Sequence, residues 1–179
     1  MKPGASPSLD VVPLPPSRPL LPSGKGRVFF LEDNAGRERL LASQPQAALV
    51  ADHLPLRANL SVLENIALVP QFRLGLSFEA AARRANALLE RIGFGEVALL
   101  RDPDIGREAR FVTKIVRAVL QSAPIILVDR PAAQLPDLDY PPFLEAVLGK
   151  LEADFESCWI VDYRWNARLY DRPDCATSD

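Results

Sequence analysis

The stretch Ala123–Pro131, reading A-P-I-I-L-V-D-R-P, constrains the fold more than any other part of the chain. Its short apolar run, Ile125 to Val128, follows a predicted helix that ends near Ser122. A run of that kind reads as a strand buried in a parallel sheet. Asp129 then stands at the carboxyl end of the strand, where open α/β sheets place ligand-binding groups. Arg130, a permanent cation that cannot accept a proton, comes next.

Around this strand the pattern alternates. Val28–Leu31 and Ala47–Ala51 read as strands, with a turn at Glu32–Gly36 between them. Ser61 and Glu64 have capping-box spacing and start a short helix. Ser77 is the predicted N-cap of a helix to about Ile92. Phe78, Ala81, Ala82, Ala85, Leu88, Leu89 and Ile92 share one face of it, and Gly93 ends it. A helix over about 107–121 carries Phe111, Ile115, Ala118 and Val119 inward. Pro141-Pro142 opens a helix over 141–153, and Cys158–Val161 is a last buried strand ending at Asp162-Tyr163. The expected fold is therefore α/β, a mostly parallel sheet covered by helices, with a small helical lobe over about 60–110.

A chain of 179 residues suits one domain with a full core. Residues 1–24 hold seven of the 17 prolines and read as a disordered tail; the domain is expected over 25–172, with a frayed tail at 173–179. A net charge of −2 without a basic patch argues against nucleic acid. His53 is the only histidine, so no zinc-type spacing exists, and neither a metal nor a cofactor is expected. Of the two cysteines, Cys158 reads as a buried structural thiol. No run is long and apolar enough to span a membrane, and prolines interrupt the amino terminus, so the expected location is cytoplasmic.

Four phrases, in register over about residues 45–164, resemble the ATP-binding-cassette (ABC) transporter ATPase family. Leu60–Leu68 (L-S-V-L-E-N-I-A-L) is similar to the family's L-T-V-x-E-N-V-A-x, which follows its Q-loop. Ala85–Gly95 resembles a helix of the family's helical lobe. Val116–Val119 followed by Pro124–Pro131 resembles A-R-A-L…P-x-I-L-L-x-D-E-P, and Trp159–Tyr163 falls where V-x-x-V-T-H would stand. The resemblance implies a truncated ABC-ATPase-like core lacking much of the amino-terminal nucleotide-binding subdomain.

The chemical motifs implied by the resemblance are altered. No G-x-x-x-x-G-K-[ST] occurs, and that loop works by wrapping phosphates in glycine amides beside a lysine. Ser23-Gly24-Lys25-Gly26 is a superficial echo, too close to Asp52 for the usual intervening helix and strands. Asp52 stands at the Q-loop glutamine position. Ile105–Ala109 aligns with the signature L-S-G-G-Q, with Arg107 and Glu108 where glycines allow close backbone approach. Arg130 takes the catalytic glutamate position, as a surface cation or a counter-ion to Asp129 or Asp52. Tyr163 takes the switch-histidine position, leaving Asp129 as a remnant and no catalytic residue expected.

The expected function is a non-catalytic ABC-ATPase-like subunit that binds or regulates a transporter. Its partner would be a permease, a competent ABC ATPase subunit or a second copy of itself, with the membrane reached only through that partner. Asp52, His53, Leu54, Leu56, Leu60 and Val62 are the expected contact residues. The alternative is a metal-dependent phosphoryl-transfer enzyme or weak ATP-binding protein in which Asp52, Asp129 and Asp162 gather at the strand ends. Trp165 and Tyr170, beyond the last strand, form either an exposed contact patch or a cover for the sheet edge.

Overall fold

The computed structural model of the chain describes residues 14–171. In chain order, the elements are β1 (Ser17–Pro19), β2 (Gly26–Leu31), α1 (Asn34–Ala42), β3 (Ala48–Val50), α2 (Val62–Leu74) and α3 (Phe78–Ile92). There follow α4 (Arg107–Val119), β4 (Ile126–Asp129), α5 (Pro131–Gln134), α6 (Tyr140–Leu151) and β5 (Cys158–Tyr163). The strands form one sheet in the order β1-β2-β5-β4-β3, parallel except for the antiparallel edge β1.

Strand geometry sends alternate side chains to opposite faces. Val28, Val50, Ile126, Val128, Cys158 and Ile160 enter the main core with α2, α3, α4 and α6. Phe29, Leu31, Leu127 and Val161 point the other way, onto Leu40 of α1. Full burial of each large aliphatic side chain contributes about 1.5–3 kcal/mol, and Leu144, Leu148 and Leu151 place three on α6 alone.

The local signals behave as their chemistry requires. Ser61 Oγ accepts from Glu64 N (3.2 Å), and Glu64 Oε2 accepts from Ser61 N (2.7 Å), closing both halves of the capping box. The helix it starts runs 13 residues, longer than anticipated, with Pro70 inside it. Buried Asn65 accepts from Arg57 N (2.8 Å) and donates to the carbonyls of Arg57, Leu60 and Ser61, which shapes the loop before α2. Ser77 caps α3, and Gly93 ends it at φ 88°, a conformation that favours glycine.

Two expectations change. The segment Glu32–Gly36 is not simply a turn: Asp33 caps α1, and Asn34 to Gly36 already lie in its first turn. A helix therefore does fit between β2 and Asp52. Part of the expected tail is ordered as well, because Ser17–Pro19 pairs with Arg27–Phe29 and Leu21 is buried. Residues 1–13 and 172–179, with Cys175, lie outside the described residues. No described helix is long and apolar enough to cross a membrane.

Cys158 is fully buried, and desolvation pushes its thiol up to about 12. Since the thiolate is the reactive form, we expect Cys158 to resist iodoacetamide at pH 8 in native buffer and to react fully in urea, as read by peptide mass spectrometry.

Candidate functional site

The carboxyl ends of the parallel strands carry the groups of interest. The junction from β2 into α1 is a strand–loop–helix unit, the arrangement that phosphate loops use. Its sequence, Leu31-Glu32-Asp33-Asn34-Ala35-Gly36-Arg37-Glu38, has one glycine, an arginine where that loop carries lysine, and glutamate at the hydroxyl position. Asp33 Oδ1 accepts from Gly36 N at 2.7 Å, so a side-chain carboxylate sits at the positive end of the helix.

One turn into α1, Arg37 reaches across to β4. Its Nε and Nη2 donate to Asp129 Oδ1 and Oδ2, both at 2.7 Å, and its Nη1 donates to Asn34 Oδ1 at 2.9 Å. The Asp129 side chain is wholly inaccessible and that of Arg37 is 10% exposed. The bidentate geometry is the strong form of this interaction. The Asp129 bond holds the Arg37 guanidinium above its ordinary pKa, against the opposing effect of burial.

Arg130 lies beside this pair. Its Nε is 3.6 Å from Asp129 Oδ2 and is buried with no hydrogen-bond partner. Of the alternatives read from sequence, it is a secondary counter-ion to Asp129. Its backbone is left-handed, φ 45° and ψ 70°, fixed by a 2.9 Å bond from Arg130 N to Val161 O and by Pro131 opening α5. Tyr163 stacks on the exposed Trp165 ring with centroids 4.2 Å apart, and its hydroxyl is 3.4 Å from Asn34 Oδ1.

Asp162 does not join Asp129. Asp129 pairs in register with Val161, so the next residue of β5 faces the opposite side of the sheet. There the buried Asp162 Oδ2 accepts from Tyr140 Oη (2.7 Å) and Tyr170 Oη (3.0 Å). Its Oδ1 accepts from Tyr163 N (2.8 Å) and Asn166 Nδ2 (2.9 Å). Asp52 is exposed on the loop after β3. The convergence of Asp52, Asp129 and Asp162 that the alternative reading requires is thus absent, and no group of three metal-ligating side chains occurs among the described residues. Arg164 pairs with Glu32 (2.8 Å) rather than with any of these three aspartates.

The remaining predicted residues divide by burial. His53 is exposed, and Leu54 and Leu60 are half-buried. Leu56 and Val62 are core residues at 5% and 1% exposure, so they pack the lobe rather than present contact surface. Leu54 lines an open groove of about 560 Å³ with Leu49, Arg57, Leu68 and Phe72. Trp159 packs on Phe29 at 4.9 Å, within the sheet. Trp165 is exposed whereas Tyr170 is buried, so the two do not form one patch. Ser23–Gly26 lies at the amino ends of the strands, where Lys25 Nζ donates to the carbonyls of Glu152 (3.0 Å) and Phe155 (3.3 Å). It is a structural loop, at the wrong end of the sheet for Asp129. Arg37 was missed from sequence, although Gly36-Arg37 shortly after an apolar strand was the available signal.

Two consequences can be measured. Asp129→Asn strands a buried guanidinium and should cost about 3–5 kcal/mol in urea unfolding, whereas Arg37→Met with Asp129→Leu should recover most of that loss. Burial and the Asp162 carboxylate both raise the Tyr140 and Tyr170 phenols above their ordinary range. Their contribution is complete below pH ~10, the unfolded value, and is lost as pH rises, by about 1.4 kcal/mol per phenol per pH unit. Tyr170→Phe should roughly halve that alkaline slope.

No family model matches the chain. It is 27% identical over 126 residues to the phosphonates import ATP-binding protein PhnC of Treponema denticola, an alignment covering 65% of this chain and 49% of that protein. Against PhnC of Stutzerimonas stutzeri it is 37% identical over 87 residues, covering 45% and 32%. The chain therefore spans about half the length of the first of these relatives and a third of the second. Among solved structures it superposes on the dimeric bacterial ABC transporter cassette MJ0796 with a TM-score of 0.54 and 25% identity, over 76% of this chain and 60% of that one. In fold and in sequence, this chain is homologous to the ATPases of ABC transporters.

Proposed function

We propose that this chain is a non-hydrolysing ABC-ATPase-like subunit, one that acts by binding a transporter permease or a competent ATPase partner. The reading rests on the bidentate Arg37–Asp129 pair. A phosphate loop needs its cation free to meet phosphate, and the strand-end aspartate must be free to hold Mg²⁺. Here each is the other's buried partner at 2.7 Å. Asp33 occupies the anion-attracting end of α1, and Arg130 stands where a water-activating carboxylate would be required. Recruiting nucleotide would mean breaking a buried ion pair, a cost of several kcal/mol.

The binding side of the proposal draws on the groove between β3, its following loop and α2. Phe72 on its rim is 84% exposed, a large apolar side chain that a partner would cover. This groove replaces the partly buried contact set read from sequence, keeping Leu54 and dropping Leu56 and Val62.

We expect the purified chain to release no phosphate from Mg·ATP and to co-purify from membranes with a permease or an intact ATPase. Phe72→Asp should weaken that complex about tenfold or more without unfolding the chain. Phosphate release abolished by Asp129→Asn would overturn the first half, and recovery of only an unassociated monomer would overturn the second.

A further inference from the structure

Lys114 is a buried cation that the Arg37–Asp129 site does not use. It sits at the middle of α4, 4% exposed, and donates to two neutral oxygens, Ala51 O (2.9 Å) and Gln134 Oε1 (3.2 Å). An ammonium group has three donors, so one remains. Among the described residues no carboxylate lies within ion-pairing distance of it, in contrast to Arg37, whose Nε and Nη2 are both committed to Asp129. Burying an ammonium without an opposite charge is costly.

Lys114 borders a cavity of about 260 Å³, with Arg107, Arg110 and Gln134 on the same wall. Arg110 is fixed by Asp102 (Nε to Oδ1, 2.5 Å) and by the carbonyls of Asp102 and Ile105. Arg107 is only weakly held, because its ion pair with Asp137 joins side chains that are 58% and 86% exposed, and such pairs contribute little. Asp52 is the single carboxylate on the wall. Desolvation lowers the Lys114 pKa, nearby Arg117 and Arg110 lower it further, and Asp52 and Asp102 oppose them.

We propose that this cavity, between α4, the end of β3 and α5, binds a small oxyanion, with Lys114 Nζ as its buried anchor and Arg107 turning in from Asp137 to close over it. The anion supplies the counter-charge that Ala51 O and Gln134 Oε1 do not. Free phosphate and a carboxylate share this chemistry. The proposal does not depend on the function argued above, since it concerns a different cation in a different cavity.

The test titrates the full chain with inorganic phosphate and, separately, with acetate at constant ionic strength, by calorimetry and by the ¹³Cε chemical shift of Lys114. Saturable binding is expected, weakened at least about tenfold by Lys114→Met and also weakened by Arg107→Ala. In the wild-type chain the Lys114 titration should move to higher pH as anion is added, a readout that stands even if Lys114→Met fails to fold. Saturation by phosphate identifies a free tetrahedral anion as the ligand, and saturation by acetate alone identifies a carboxylate; either supports the site. Absence of saturable binding by both anions, binding unchanged in a folded Lys114→Met, or a Lys114 titration insensitive to anion would overturn it.

Discussion

The bidentate contact between Arg37 and Asp129 ties the first helix to the central strand β4, and the geometry around it follows from the need to satisfy two buried charges. Arg37 comes from the second turn of α1, so that helix must start immediately after β2, with Asp33 as its cap. Asp129 must end β4 flush with the carboxyl edge, which sends the next residue out of the strand. That residue, Arg130, turns into the left-handed region, where a non-glycine backbone costs about 1–3 kcal/mol and persists only when surroundings over-determine it. The bond from Arg130 N to Val161 O and the proline that opens α5 do so.

Two aspartates at neighbouring strand ends have opposite surroundings because sheet parity separates them. Asp129 faces the thin side of the sheet, where α1 is the covering helix and a cation is within reach. Asp162 faces the thick side, among the aromatic rings of Phe30, Tyr140 and Tyr170. Among the described residues no cation pairs with it there, and its charge is distributed over four donors instead. A carboxylate with that many hydrogen bonds is structural.

What the sequence revealed and concealed follows the same division. Elements defined by short-range chemistry were legible: the Ser61–Glu64 box, the Ser77 and Gly93 ends of α3, and the apolar runs at β4 and β5. Asp129 was placed correctly because a strand end is a one-dimensional feature. Helix α1 was not, since its N-A-G-R-E-R stretch carries no apolar stripe, and its position is held by Leu40 and by an ion pair 92 residues away in sequence. The proposed carboxylate trio failed for a related reason: counting strand ends does not give the parity of each side chain. Leu56 and Val62 were misplaced because an apolar residue in a loop or at a helix start reads alike whether it faces a partner or the core.

Seen as charges rather than motifs, the two buried cations among the described residues are handled differently. Arg37 has a carboxylate in ideal geometry, so its surroundings are complete without any ligand. Lys114 ties α4 to the end of β3 and to α5 through neutral oxygens, leaving its charge without a direct counter-ion among the described residues. A buried pair resists exchange because either partner left behind is uncompensated, whereas a buried lone cation gains from any anion that can reach it. The cavity beside Lys114 is therefore the place where this protein is electrostatically open, and the strand-end site at Asp129 is the place where it is closed.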